Sequence, residues 1–345
     1  MWIAALAWDL RGYEVVCVNT DGGRSRPAVR FGAGAQRDLI EFLKNLDSGE
    51  GGDEVLALVE STNGLLDGPL MAAGIGVCRV DPWLLPERPG AGSVCAADLA
   101  RHGLPVLSKT VRLTTEVGTL AGRIDELVAK IEASAEVEAE LTRRGLCIER
   151  GSAAAPRVAL TFDDGPHPLY TPRVLDILRE YGVHATFFCV GLHADAHADT
   201  LASVAAAGHS IGNHTWSHPF LPDLTQEELY FQIDATNRAV ERVTGTVPHL
   251  LRPPYGSRSP DILGWLADRG MTTVLWDNDP CDWARPGTES IVRTAVEQTA
   301  NGSIVLLHDG NGDRSQTVEA LPGIIEQLLA TENKFVTVDE ITASL

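Results

Sequence analysis

From residue 157 onward, strand and helix patterns alternate without a break, and this alternation constrains the fold more than any other feature of the chain. RVALTF (157–162) reads as a buried strand, PRVLDILREYG (172–182) as a helix with proline in its first turn, and HATFFCV (184–190) as a strand. An alanine-rich helix over 198–207 and a short strand, HSIGNH (209–214), follow. TQEELYFQIDATNRAVERVTG opens with Thr225 and Glu228 in capping-box spacing. HLLRPP, MTTVLW, SIVLLH and FVTV then read as strands separated by the helices SPDILGWLADRG, ESIVRTAVEQTA and TVEALPGIIEQLLA. Seven strands alternating with helices predict a parallel sheet covered by helices. Units of this kind can close into a distorted (β/α)7-type barrel, whose site gathers at the C-terminal ends of the strands.

The ionisable residues fall at those ends. Asp163 and Asp164 close the first strand in TFDDGP, and His214 and His218 follow the third in NHTWSHP. Arg252 ends the fourth in RPPYG, Asp279 and Asp282 follow the fifth in DNDPCDW, and His308 and Asp309 end the sixth in LLHDG. Adjacent carboxylates raise the cost of ionising each other, so Asp163 and Asp164 need a compensating cation. Two histidines four residues apart on one turn can bind zinc or a similar metal, and a carboxylate from a neighbouring strand makes an Asp/His/His set with open positions. One aspartate could then ligate the metal while the other takes a proton from water, whose pKa a bound metal lowers towards about 7. Arg252 could pair with that second carboxylate and hold it ionised.

TFDDGP, H-T-x-x-H-P, RPPYG, D-x-x-D-W and LLHD occur in the order found in polysaccharide deacetylases, and residues 155–345 resemble that family, the NodB homology domain of carbohydrate esterase family 4. The resemblance implies Asp163 as catalytic base, and Asp164, His214 and His218 as ligands of one divalent metal, zinc, with cobalt or nickel as alternatives. It implies Arg252 as the partner that tunes the base and the backbone N–H of Tyr255 as an oxyanion donor. It makes His308 the acid that protonates the leaving amine, with Asp282 as its carboxylate partner. Trp283 and Leu306 correspond to the pocket for the acetyl methyl, with Pro253, Pro254 and Gly256 shaping the loop that places Tyr255.

The first half is built differently. IAALAWDL, YEVVCVN and RPAVRF read as a three-strand meander, AQRDLIEFLKNL as a helix, EVLALVES as a strand, NGLLDGPLMAAG as a helix and IGVCRVD as a strand. The order βββαβαβ over residues 1–112 is similar to a ribonuclease H-like fold, and VLALVESTNGLLDGPLMAAGIGVCRVDPWLLPE resembles the N-terminal segment of IS110-type transposases. In that comparison Asp9, Glu60 and Asp98 fall where acidic residues would bind Mg²⁺, although a structural or oligomerising role is expected, because a fold alone carries no function. Residues 113–145, with Val117, Leu120, Ile124, Leu127, Val128 and Ile131 at helical spacing, read as helical, and 113–150 as a helical linker. GLCIERGSAAAPR has a linker composition and sets the start of the deacetylase-like domain at 151.

A net charge of −19 argues against binding a phosphate backbone, so nucleic acid is not an expected partner. The apolar run near the N-terminus is short, follows no basic residue and lacks a cleavage site, which predicts a cytoplasmic protein with no membrane partner. Cys17, Cys78, Cys95, Cys147, Cys189 and Cys281 lie far apart without a C-x-x-C pair and are expected as free, largely buried thiols. The expected activity is metal-dependent hydrolysis of an N-acetyl or other small N-acyl amide on a soluble amino sugar, oligosaccharide or biosynthetic intermediate. The alternatives are a hydrolase of a non-sugar linear or cyclic amide on the same scaffold, and a nucleic-acid-associated regulator with an inactive barrel.

Overall fold

The structure is a computed structural model that describes residues 1–9, 12–20, 25–32, 34–47, 54–60, 64–81, 84–86, 94–113 and 123–342. These fall into two compact units, Met1–Val128 with Ser217–Phe231, and Ala129–Trp216 with Gln232–Leu345.

The first unit contains β1 (Trp2–Asp9), β2 (Gly12–Asn19), β3 (Val29–Phe31), α1 (Gln36–Lys44), β4 (Val55–Glu60), α2 (Gly64–Ala72), β5 (Gly76–Val80), α3 (Ala96–Gly103), β6 (Val111–Arg112) and the start of α4 (Ile124–Ala133). Its strands form one sheet in the order β3-β2-β1-β4-β5-β6. The β1–β2–β3 meander is antiparallel, and β4 and β5 run parallel to β1. This is the βββαβαβ order expected from the sequence, with α3 and the antiparallel edge strand β6 added. Alternate β1 residues Ile3 and Ala5 join Leu56, Leu58, Cys78, Val80 and Leu99 in one buried cluster.

In the second unit α5 (Ala135–Arg143) leads into β7 (Cys147–Ile148), β8 (Arg157–Asp163), α6 (Tyr170–Tyr181), β9 (Thr186–Cys189), α7 (Gly191–Ala196), α8 (Ala198–Ala206) and β10 (Ser210–Asn213). After α9 (Gln226–Thr244) come β11 (Leu250–Leu251), α10 (Pro260–Asp268), β12 (Thr272–Val274), α11 (Thr288–Glu297), β13 (Ile304–His308), α12 (Ser315–Ala330), β14 (Lys334–Phe335) and α13 (Val338–Thr342). The strand order is β13-β8-β9-β10-β11-β12-β7, with β14 also on β8. Every pairing in this sheet is parallel. A bridge from Asn278, beyond β12, to Val305 of β13 draws the curled sheet towards closure.

Local signals set the helix ends. Gly182 caps α6 at φ 64, a left-handed position that costs glycine little. The Ser259 hydroxyl caps α10 by accepting from the Ile262 N–H at 3.3 Å. Thr225 and Glu228 form the expected capping box, with Glu228 accepting from the Thr225 N–H at 2.9 Å and its own N–H donating to the Thr225 hydroxyl at 3.3 Å. The inner face of the sheet buries Ala159, Phe188, Leu250, Val274 and Ile304, with Val338 and Ile341 of α13 packed against them.

Within the stretch 113–145 read as helical, α4 and α5 meet at the buried Ser134, and positions Val117 and Leu120 lie outside the described residues. The boundary at 151 falls inside the second unit. β7 pairs with β12 through Cys147↔Thr273 and Ile148↔Val274, while Leu141, Cys147, Leu263 and Leu275 form one buried cluster. A two-residue strand between Gly145 and Gly151 has no periodicity of its own; only the exposed edge of β12 makes it a strand. Of the six cysteines, Cys17, Cys78, Cys147 and Cys189 are buried, Cys95 and Cys281 are exposed, and all are free.

Candidate active site

Strand alternation decides where the two aspartates point. Ala159, Thr161 and Asp163 share the inner face of β8, whereas residue 164 would point outward if the strand continued. Asp164 instead adopts φ 73, which turns the chain and allows its carboxylate to join the site. Behind it, Gly310 lies so close that a Cβ there would sit 2.2 Å from the Asp164 carbonyl oxygen. The His193 Nδ1–H donates to that same carbonyl at 2.7 Å; a carbonyl can only accept, which fixes the tautomer.

Asp164, His214 and His218 are all buried, and each presents a ligand atom within 4.8 Å of the others'. The His214 Nδ1–H donates to the Arg252 carbonyl at 2.7 Å, which leaves Nε2 facing Asp164 Oδ1 at 3.5 Å. A neutral imidazole oriented by a backbone carbonyl is the usual second-shell arrangement of a metal ligand. One carboxylate oxygen and two imidazole nitrogens suit zinc or a related divalent ion. The donor set therefore fits the metal that the sequence implied.

Arg252 is fully buried, and its guanidinium is satisfied on every side. Nη1 donates to Asp163 Oδ1 at 2.8 Å and to Thr161 Oγ1 at 2.6 Å, and Nη2 donates to the Leu275 carbonyl at 3.1 Å. Its plane lies 4.3 Å from the Phe188 ring centre. Lysine could supply the charge but not this planar set of donors.

His308 pairs with Asp163 across neighbouring strands, since β13 lies beside β8. Its Nδ1–H donates to Asp282 Oδ1 at 2.7 Å, and its backbone N–H donates to Asp282 Oδ2 at 2.9 Å. Thr317 adds a hydroxyl donor to Oδ2 at 2.7 Å. Burial alone would lower the imidazole pKa, but the charge and hydrogen bond of Asp282 outweigh it and push the group up to about 9. Burial raises the Asp282 carboxyl in turn, and the imidazolium more than offsets this, leaving it below the usual carboxylate range. Asp309 is pushed up to about 7, first by burial, with the charges of Asp164 and Asp163 adding to the rise against a Thr171 hydrogen bond that lowers it.

Tyr255 lies in a short turn, Pro254–Gly256, at φ 60. Pro254 is buried. Leu306 is also buried and shares the β13 face of His308. Trp283, beside Asp282, is 46% exposed, which excludes the core-packing role open to a tryptophan in that motif. The sequence reading did not single out His193, Gly310, Thr161 or Thr317 as site residues. Thr161 lies inside TFDDGP and could have been found there; the other three touch the site only through the folded chain.

The acidic residues of the first unit are not brought together. Among the described residues Asp9, Glu60 and Asp98 form no metal-ligating group. Asp9 pairs with Arg30, Asp98 pairs with Arg101 at 2.7 Å, and the buried Glu60 accepts from the Val94 N–H at 2.9 Å. Each carboxylate already has a local partner, so the Mg²⁺ site suggested by the transposase comparison is absent among the described residues. No helix among them is long and apolar enough to cross a membrane.

A parallel α/β half-barrel with its carboxylates, imidazoles and buried guanidinium gathered at the strand ends belongs to the class of barrel enzymes that work at that face. The polysaccharide deacetylase family profile matches residues 150–274. The chain is 44% identical over 186 residues to a peptidoglycan-N-acetylglucosamine deacetylase of Bacillus cereus, covering 53% of this chain and 87% of the relative. It is 41% identical over 193 residues to a chitooligosaccharide deacetylase of Sinorhizobium fredii, covering 52% and 89%. Among solved structures, a peptidoglycan N-acetylglucosamine deacetylase bound to an N-hydroxybenzamide superposes with a TM-score of 0.58 at 33% identity, over 60% of this chain and 97% of that one. The chain belongs to the polysaccharide deacetylase family and is a hydrolase of non-peptide C–N amide bonds.

Proposed function

We propose that this protein removes the N-acetyl group of an amino sugar within a soluble oligosaccharide or biosynthetic intermediate, releasing acetate and a free amine, in a metal-dependent reaction. The observation that carries the proposal is the placement of Asp163 and His308 side by side on neighbouring strands, each with its own buried ionic partner, next to the Asp164/His214/His218 group. Amide hydrolysis needs one group that takes a proton from water and another that gives one to nitrogen. Arg252 orients the first of these groups, and the Asp282 charge holds the proton on the second.

In this scheme Asp163, oriented by the Arg252 hydrogen bond at 2.8 Å, accepts the proton of the attacking water. Asp164, His214 and His218 would hold the metal, which when bound supplies Lewis acidity towards the acyl oxygen and the attacking water. The Tyr255 backbone N–H faces the developing oxyanion, with Pro254 fixing its loop. His308, charged through its pairing with Asp282, delivers a proton from Nε2 to the departing amine. Leu306 forms the apolar floor for the acyl methyl, and Trp283 at the rim offers an aromatic face to a sugar ring. The sugar preference rests on the relatives, which are named for N-acetylglucosamine units and chitooligosaccharides.

The test is incubation of zinc- or cobalt-loaded protein with N-acetylated chitooligosaccharides, peptidoglycan fragments and simple N-acyl amides, with mass spectrometry of the products. Acetate release from the sugar substrates is the expected result. Hydrolysis confined to the simple amides would overturn the sugar assignment.

A further inference from the structure

We infer that Arg123, which precedes the family-matched stretch of the chain, is a positioning residue for His218 and so for the metal centre. The inference rests on the Asp164/His214/His218 reading above.

His218 sits at φ 58, a left-handed conformation that a non-glycine residue seldom adopts. Pro219 follows it, and a residue before proline is normally driven to extended backbone. Such a conformation persists only where neighbouring structure over-determines it. The chain leaving His218 is pinned within a few residues. Phe220 and Leu221 are buried, and residues Leu221–Asp223 form one short turn. Asp223 at the end of that turn is gripped by Arg123, whose Nη1 and Nη2 donate to its two carboxylate oxygens at 2.8 and 2.7 Å. The same guanidinium donates from Nε and Nη2 to Glu126 at 2.8 and 2.9 Å, and lies 4.2 Å from the Phe220 ring centre.

A single buried side chain thus makes a two-point bond to one end of the turn and stacks on the other. Only a planar guanidinium can do both. Arg123 belongs to the same compact unit as Ser217–Phe231, whereas the family profile begins at residue 150. The segment that carries His218 is therefore fixed by a residue from outside the matched region. This gives Arg123 a task in the chemistry that needs no second active site in its unit.

The test titrates cobalt(II) into metal-free full-length protein, following the visible d–d absorption and reading Kd by chelator competition. Thermal unfolding is recorded alongside. Arg123→Ala and Asp223→Ala should each weaken cobalt binding by about 10- to 100-fold, the range for outer-shell partners, and alter the band shape. The double variant should be no weaker than the worse single one, because both remove the same link. Arg123→Lys, which keeps the charge without the fork, should fail to restore parental affinity. Arg79→Ala breaks a buried pair with Asp81 at 2.8 Å in the same unit; it should lower the melting temperature and leave cobalt affinity unchanged. Parental affinity in Arg123→Ala would overturn the inference, as would an affinity loss in Arg79→Ala matching its loss of stability. If Arg123→Ala does not fold, Arg123→Lys decides in the same way. His218→Ala separates the two levels: parental affinity there would overturn the metal reading itself, whereas weak binding there beside parental Arg123 variants would overturn the positioning role alone.

Discussion

Replacing Asp282 with asparagine should separate the charge that holds the His308 proton from the shape that holds its ring. The substitution keeps the size of the side chain and one acceptor oxygen, which can still take the His308 Nδ1–H, while the amide NH2 replaces the oxygen that now accepts from the His308 backbone N–H and from Thr317. What it removes is the negative charge. In the parent, that charge carries the imidazole from an ordinary 6.5 to about 9 against the opposing effect of burial. At about 1.4 kcal/mol per pH unit, the difference is on the order of 3 kcal/mol in favour of imidazolium. With the charge gone, burial and Arg314 lower the value and outweigh the smaller rise from Asp164, so the group should titrate below 6.5. The alkaline limb of kcat for acetate release should therefore move to lower pH in the variant, by roughly two pH units or more. At pH 8 the variant should retain a much smaller fraction of its own maximal rate than the parent does of its own. The assay is acetate release from an N-acetylated chitooligosaccharide by metal-saturated enzyme over pH 5–10, with His308→Ala as the floor, expected about 10²- to 10⁴-fold below the parent. Limbs of such profiles belong to coupled groups, so the comparison is between two profiles and not with an absolute value. If the Asp282→Asn profile overlaid the parent across the alkaline limb, the pairing would not control the proton, and His308 would need a different role.

Asp163→Asn should retain bound metal and lose turnover, whereas Asp164→Asn should lose metal affinity, both read by elemental analysis and acetate release; equal metal loss in the two variants would refute this division of labour. Gly310→Ala should weaken metal binding even though glycine carries no ligand, because its Cβ would sit 2.2 Å from the Asp164 carbonyl oxygen and displace that ligand's backbone; a parental cobalt spectrum would show that the backbone yields elsewhere. A chain starting at residue 151 should be less stable than one starting at 129, because it lacks β7 and leaves Leu263 and Leu275 without Leu141 and Cys147; coincident thermal melts would refute this. The His308–Asp282 pair should also make metal-free stability depend on pH. The raised imidazole contributes fully below about 6.5 and is lost as pH rises through about 9, while the depressed Asp282 carboxyl contributes above the ordinary carboxylate range and is lost as pH falls. The alkaline part should vanish from the melting profile of His308→Ala.

Much of the site was legible along the chain because its residues end strands. In a parallel sheet the carboxyl ends of all strands lie on one side, so residues dispersed from Asp163 to His308 had to converge once the alternation of strand and helix was recognised. The motifs gave the residue types, and local chemistry gave the helix cap at Thr225. Other features had no local signal. Asp164 turns inward through a left-handed backbone that no side-chain pattern announces. The two-residue β7 exists because β12 offers an unpaired edge, and a residue pair cannot display periodicity. The carboxylates Asp9, Glu60 and Asp98 looked like a metal set by position, yet each is occupied by a nearer partner. Arg123 lies 95 residues before His218 in the sequence, and nothing there links it to Asp223, 100 residues away; the link appears only when burial forces a guanidinium and a carboxylate to satisfy one another. The sequence by itself determined which chemistry the chain could perform, because strand ends and residue types are local properties. The tertiary structure alone decided which charges meet, because hydrogen bonds and ion pairs between distant segments depend on distances that only the packed core sets.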